Sequence, residues 1–317
     1  MSPNSWICLH PSNATQTTVS LDNRGLAYGD GFFTTMGVID GQILWLDYHQ
    51  QRLVSHAVAL QLQLDSFSLL TALKTHAKQL QQGMLKLIIT RAEQEVRGYG
   101  YTPNTGGGSA CEIWLKSSPM AITTARSLPL ADGQFIPLQP AASAICLSSQ
   151  IACLPPTLAG LKSLNRLDNV LASGELQAIK AKTLAGTIKP SIAEGLLRDM
   201  SGQWVEGTMS NVFYQLVEEP VAKSSNRPHS QNNSNSNYLT QGQWYTPSMA
   251  QSGVAGVMRQ VIIDTLSTSN NPVIIRSLQD EDLLHLSQLF FCNALRGIMP
   301  MTSLRLFSGE VVNFEAI

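Results

Sequence analysis

The sequence predicts a two-domain protein of mixed α/β class, and three observations carry that reading. At 317 residues the chain exceeds the size at which one hydrophobic core usually stops growing. Strand-like and helix-like apolar periods alternate through the first hundred residues. The texture then changes between about residues 100 and 125, where the Gly-rich YTPNTGGGSA precedes the strand-like CEIWLK and the polar SSPMAITTARS. These signals place a small α/β domain at 1–120, a linker at 121–127 and a larger domain at 128–317.

WICLH and QILWL read as short apolar strands, the second reached through a turn at Asp40-Gly41. From Tyr48 to about Leu62 the period becomes helical, with Leu53, Ala57 and Leu60 on one side. A second helix over 66–82 is expected to end at Gly83, and MLKLIIT follows as a buried strand. The second half is expected to hold strands at 143–149, 194–198, 203–206, 211–217 and 287–292, with helices at 164–181 and 257–268. Residues 222–243 are rich in Ser, Asn and Gln and poor in apolar side chains. Such a stretch buries too little surface to offset its ordering entropy, so it reads as a flexible polar insertion within a hairpin.

Composition narrows the function. The chain is 44% hydrophobic and 14% charged, with a net charge of −1 and no long basic run, so nucleic acid is not an expected partner. The five cysteines are scattered and never spaced Cys-x-x-Cys, which argues against a disulfide framework or a cysteine zinc site and for a reducing compartment. MSPNSWICLHPSNATQ shows no basic region followed by an apolar run, and no stretch of about 18 apolar residues occurs. A cytoplasmic protein without membrane contact is expected. The six histidines are dispersed, so no metal is expected, and His49 reads as a helix-start residue. Neither a Gly-x-Ser-x-Gly elbow nor a Gly-x-x-x-x-Gly-Lys phosphate loop is present.

Three stretches remain. In LAGLKSLNRLDNVLASGEL, Leu164, Leu167, Val170 and Leu171 recur at helical spacing, which predicts a buried face, and Ser163 is placed to cap the helix. Lys162 then stands at the helix mouth, either a solvated charge or an amine held in a site, with Arg166 one turn on to disfavour its ammonium form. In QWVEGTMSNVFYQLV, Glu206 is a turn carboxylate or a buried acceptor for a proton on a ligand nitrogen. In QSGVAGVMRQVIIDTL, a glycine-punctuated loop enters an apolar helix whose free N–H groups suit an anion. An amine, a ring-nitrogen carboxylate and a phosphate cradle together form the set that pyridoxal 5′-phosphate requires.

On DNRGLAYGDGFFTT (22–35), HQQRL (49–53), LKSLNRLDNVL (161–171), EGTMSNVF (206–213) and AGVMRQ (255–260), the chain resembles the fold-type IV pyridoxal phosphate enzymes. That resemblance implies a small α/β domain beside a larger domain with a β-barrel-like core. It also implies that Lys162 bonds the cofactor and Glu206 its pyridine nitrogen. Arg52 and the backbone amides of Val257 and Met258 would take the phosphate, with Asn293 or Ala294 of FFCNALRGIMP closing that site.

Within the family, FFTT, EVRGYGY and KSLNRL resemble the aminodeoxychorismate lyases, which cleave 4-amino-4-deoxychorismate into 4-aminobenzoate and pyruvate in folate synthesis. D-amino acid and branched-chain aminotransferases of the same fold are the alternative. The lyase resemblance implies Lys162 as general base, Lys162 or the Thr35 hydroxyl as proton donor to the leaving enolate, and Arg97 and Arg166 as candidates for the substrate carboxylates. It further implies a homodimer, in which Arg97 could serve the neighbouring subunit.

Overall fold

Two sheets organise the chain in the computed structural model, which describes residues 6–10, 18–103, 108, 110–122, 126–130, 134–184, 192–217, 239 and 241–314. The first sheet is antiparallel, in the order β1 (Trp6–His10), β5 (Cys111–Pro119), β4 (Gly83–Arg91), β2 (Gly31–Ile39) and β3 (Gln42–Ile43). Successive side chains of a strand point to opposite faces. Phe32, Met36 and Val38 of β2 join Leu85, Leu87 and Ile89 of β4 in one core. Helices α2 (Leu46–Ala59) and α3 (Ser66–Leu80) cover it through Leu53, Ala57, Leu69 and Leu73. The other face carries Phe33 opposite Ile88 and Thr35 opposite Lys86. A short helix, α1 (Arg24–Tyr28), precedes β2 and is capped by Asn23.

The Asp40-Gly41 turn is a two-residue hairpin with both residues at positive φ, 51° and 69°, as the strand twist requires. Two expectations are corrected nearby. The QILWL strand stops at Ile43, because Trp45 takes a left-handed φ of 60° and Leu46 opens α2. Helix α3 stops at Leu80, with Gln81 in positive φ, so Gly83 opens β4 rather than ending the helix.

The second sheet is built from β6 (Arg126–Pro129), β7 (Phe135–Leu138), β8 (Ala142–Ile151), β9 (Ile192–Asp199), β10 (Trp204–Gly207), β11 (Asn211–Leu216), β12 (Tyr245–Thr246), β13 (Ile274–Ile275), β14 (Leu286–Asn293), β15 (Gly297–Arg305) and β16 (Val311–Asn313). Pairing runs β8-β9-β10-β11-β14-β15 and back to β8, which closes a six-stranded barrel. Val212, Tyr214, Phe291 and Met299 enter one core. The alternate Phe213, Phe290 and Ile298 pack with α5 (Val257–Leu266). Strand β15 was not foreseen: its Pro300 breaks the reading of a central strand, yet Pro300 pairs with Phe290 of β14.

The helix after Lys162 starts later than expected. Helix α4 spans Leu167–Leu184, and Ser163 does not cap it but pairs with Phe32 as an extended residue. The apolar stripe is also reassigned: Ala172 and Leu176 are buried against β8 and β9, while Leu167, Val170 and Leu171 are 78%, 61% and 70% exposed. Most of the polar insertion at 222–243 lies outside the described residues; β11 and β12, which flank it, pair antiparallel. Cys111, Cys146, Cys153 and Cys292 form no disulfide among the described residues, and no described helix is long and apolar enough to cross a membrane.

Candidate active site

Lys162 sits on an extended segment tied to the first sheet and to the loop before α5. Its carbonyl accepts the Phe33 N–H at 3.0 Å, and Leu164 N–H donates to the Gly31 carbonyl at 3.0 Å, which fastens the segment to β2. Two residues earlier, the Gly160 carbonyl accepts from Ala255 N–H at 2.9 Å, which fastens it to the loop before α5. The Lys162 amide donates to His56 Nε2 on α2 at 2.9 Å, and its amine lies 4.6 Å from the centre of the Phe33 ring. Burial, and after it the Arg52 guanidinium, lower the ammonium pKa to about 8; Glu206 opposes that shift, while Arg166 and Lys86 add to it. On the order of a tenth of the molecules then carry a free amine at pH 7, far more than for a solvated lysine.

Glu206 belongs to β10 and is 3% exposed. Its Oε2 accepts from Val254 N–H at 2.8 Å and its Oε1 from Asn169 Nδ2 at 3.4 Å. Burial raises its pKa and the Val254 bond lowers it, with Arg166 and Lys162 acting in the lowering sense. The turn after it is held by a second buried carboxylate. Glu194 accepts from Thr208 N–H and Oγ1 at 3.0 and 2.6 Å and from Ser210 Oγ at 2.7 Å.

Arg52 is 7% exposed and forms no ion pair among the described residues. Its Nη2 donates to the Ala255 carbonyl at 2.7 Å and its Nη1 to Thr34 Oγ1 at 3.5 Å. This places a buried cation at the start of α5, where Gly256 provides no side-chain cap. The first-turn amides of Val257 and Met258 stand there, and uncapped first-turn N–H groups are anion donors. Asn211 Nδ2 holds the loop by donating to the Val254 carbonyl at 2.8 Å. His49 is fully buried, with Nδ1 2.9 Å from Thr34 Oγ1 and Nε2 without a partner; burial and Arg52 lower it to about 3, so it is neutral.

A buried guanidinium without a counter-ion beside an uncapped helix start suits a phosphate. A buried carboxylate within Coulombic reach of a lysine of lowered pKa suits a pyridinium and an aldehyde. The residues present therefore fit pyridoxal 5′-phosphate.

The other expected residues lie as follows. Thr35 and Lys86 face each other beside Phe33, and the Lys86 amine is 5.4 Å from that ring. Arg166 donates from Nη2 to the Leu161 carbonyl at 2.6 Å and to Ser163 Oγ at 3.4 Å, and from Nη1 to Asn169 Oδ1 at 3.4 Å. Its Nε is buried without a partner. Asn293 ends β14; its Oδ1 accepts from Leu295 and Arg296 N–H, shaping the turn that contains Ala294. Arg97 is exposed, on a segment whose Gly98 and Tyr99 carbonyls accept from Arg24. Among the described residues no cluster of His, Cys, Asp or Glu could hold a metal.

Sequence reasoning missed Lys86, Asn169 and His56. A lysine alternating with Leu85, Leu87 and Ile89 in an apolar strand was a usable signal for Lys86. Nothing in the sequence pointed to the other two.

Comparison with known proteins identifies the family. The sequence profile of amino-transferase class IV matches residues 31–304. The chain belongs to that family, and with it to the pyridoxal 5′-phosphate enzymes. It is 24% identical to the aminodeoxychorismate lyase of Vibrio harveyi, over 91% of this chain and 88% of that one. The crystal structure of 4-amino-4-deoxychorismate lyase from Pseudomonas aeruginosa superposes with a TM-score of 0.67 at 29% identity, covering 91% of this chain and 88% of the other. A branched-chain aminotransferase from Thermoproteus uzoniensis shares the fold, with a TM-score of 0.65 at 16% identity over 94% and 84% of the two chains.

Proposed function

We propose that this protein is a pyridoxal phosphate-dependent carbon–oxygen lyase that converts 4-amino-4-deoxychorismate into 4-aminobenzoate and pyruvate, a step of folate synthesis. The observation that carries the reading is the Thr35–Lys86 pair on the sheet face beside Phe33 and the Lys162 amine. It offers a hydroxyl and a cation to a substrate that bears two carboxylates.

In this reading Arg52 and the Val257 and Met258 amides hold the cofactor phosphate, and Glu206 keeps the ring nitrogen protonated. When bound, the cofactor supplies an electron sink for the carbon that bears the substrate amine. Lys162 would serve as the base that removes the proton from that ring carbon. The ring carbon–oxygen bond then breaks, the ring becomes aromatic, and the leaving enolate takes at carbon the proton held by Lys162, directly or through Thr35 Oγ1, which Lys162 reprotonates, to become pyruvate. Lys86 binds a substrate carboxylate.

Arg166, whose Nη groups already serve Leu161, Ser163 and Asn169, acts mainly by its charge on Lys162 and Glu206. The reading includes a homodimer in the cytoplasm. Leu167, Val170 and Leu171 form an exposed apolar face on α4 that a second copy would cover, and Arg97 would reach that copy's site. Sedimentation of Leu171→Glu as a monomer, against a wild-type dimer, would bear this out.

The deciding assay incubates the holoenzyme with 4-amino-4-deoxychorismate. Release of 4-aminobenzoate and pyruvate in equal amounts is expected. No product, together with robust transamination of D-alanine or a branched-chain amino acid, would replace the lyase by an aminotransferase.

A further inference from the structure

We propose that His56 is a positioning residue for Lys162: its imidazole holds the lysine's peptide and so fixes the point from which the amine is presented. The inference rests on the reading of Lys162 as the lysine that carries the cofactor.

The Lys162 carbonyl and the Leu164 amide are both used to join β2, but the Lys162 amide is not. It donates instead to His56 Nε2 at 2.9 Å, and His56 is only 4% exposed. A peptide N–H turned toward a buried side chain and left without its acceptor is costly, so the segment follows the imidazole. Nε2 can accept only when it carries no proton. The single ring proton therefore sits on Nδ1, 3.3 Å from Ser55 Oγ.

The surroundings keep the ring in that state. Burial is the main cause, followed by the charges of Arg52, Lys162 and Arg166, and together they lower the imidazole to about 3. The Phe32 ring meets it edge-on at 5.3 Å, which fixes its plane. No acidic side chain is among the groups that shift it.

The placement on α2 has a further consequence. Arg52 and His56 are four residues apart, and so on one face of the helix. Arg52 reaches the Ala255 carbonyl before α5 while His56 reaches Lys162. One rigid helix thus sets the spacing between the phosphate-holding cation and the lysine peptide.

The test uses cofactor-free and loaded full-length protein, with His56→Ala and His56→Gln, whose Oε1 can also accept. Nitrogen-15 NMR of the cofactor-free wild type should show a neutral His56 with the proton on Nδ1 and a Lys162 amide protected from exchange. In His56→Ala that protection should fall about tenfold or more, while the Phe33 and Leu164 amides keep theirs. In the loaded enzyme kcat should fall about tenfold with KM little changed, and His56→Gln should restore both readouts in part. A ring proton on Nε2, unchanged Lys162 exchange in His56→Ala, or equal loss at Phe33 and Leu164 would overturn the proposal. Finding the cofactor on a lysine other than Lys162 would instead defeat the reading beneath it and leave the exchange result standing.

Discussion

The two walls of the site differ in how firmly their polar groups are held. On the barrel wall Glu206 is 3% exposed with both oxygens bonded, and Asn211 ties down the loop that leads into α5. On the sheet wall Thr35 and Lys86 are half-buried, and neither side chain has a hydrogen-bonded partner among the described residues. A group whose bonds are already satisfied can hold one fixed ligand group in a dry pocket. A group left unsatisfied awaits a variable one. Under the proposed function, the contrast corresponds to cofactor retention at the barrel wall, with Arg52 reaching across from α2, and substrate choice at the sheet wall. Lys162 lies on the segment stitched to both.

The largest break in this comparison is Lys162→Ala, which should lower product formation at least about 10³-fold and release the cofactor on dialysis. Next is Glu206→Gln. Its amide oxygen can still accept the Val254 N–H, so the circular dichroism spectrum should stay native while kcat falls about 10²-fold. Lys86→Met tests the opposite wall. It should raise KM for the proposed substrate, 4-amino-4-deoxychorismate, about tenfold and leave the cofactor absorbance unchanged. A lost cofactor band in that variant would erase the division between the walls.

The smallest effect is a pH shift. In cofactor-free protein, acylation of the Lys162 amine should follow a midpoint of about 8. Arg52 lowers that value and Glu206 raises it. Arg52→Gln should therefore move the midpoint up and Glu206→Gln should move it down. The depressed value also fixes the sign for stability. Between the native midpoint of about 8 and the ordinary lysine value of 10.5 the unfolded chain binds more protons at this group. Its contribution to stability should accordingly rise with pH across that window.

The local periods of the sequence were legible where burial is one-sided. Leu53 and Ala57 do lie on the buried side of α2, and MLKLIIT, read as a buried strand, does form β4 with Leu85, Leu87 and Ile89 in one core. The apolar stripe of Leu167, Val170 and Leu171 was legible as a stripe, but a period states that a face is apolar and not what covers it. Strand β15 was hidden by Pro300, whose missing N–H argues against the central position it occupies. At the site, Lys162, Glu206 and Arg52 were singled out from stretches far apart in the chain, and the fold places their charges within mutual influence. His56 and Asn169 could not be read, because their importance comes from which backbone or carboxylate the tertiary fold sets beside them.

Borohydride reduction of the loaded enzyme, followed by digestion and mass spectrometry, tests the central assignment most directly. The account predicts a phosphopyridoxyl mass on the peptide that carries Lys162, and on no peptide in Lys162→Ala. The same mass on the peptide carrying Lys86, or on none in the wild type, would contradict it.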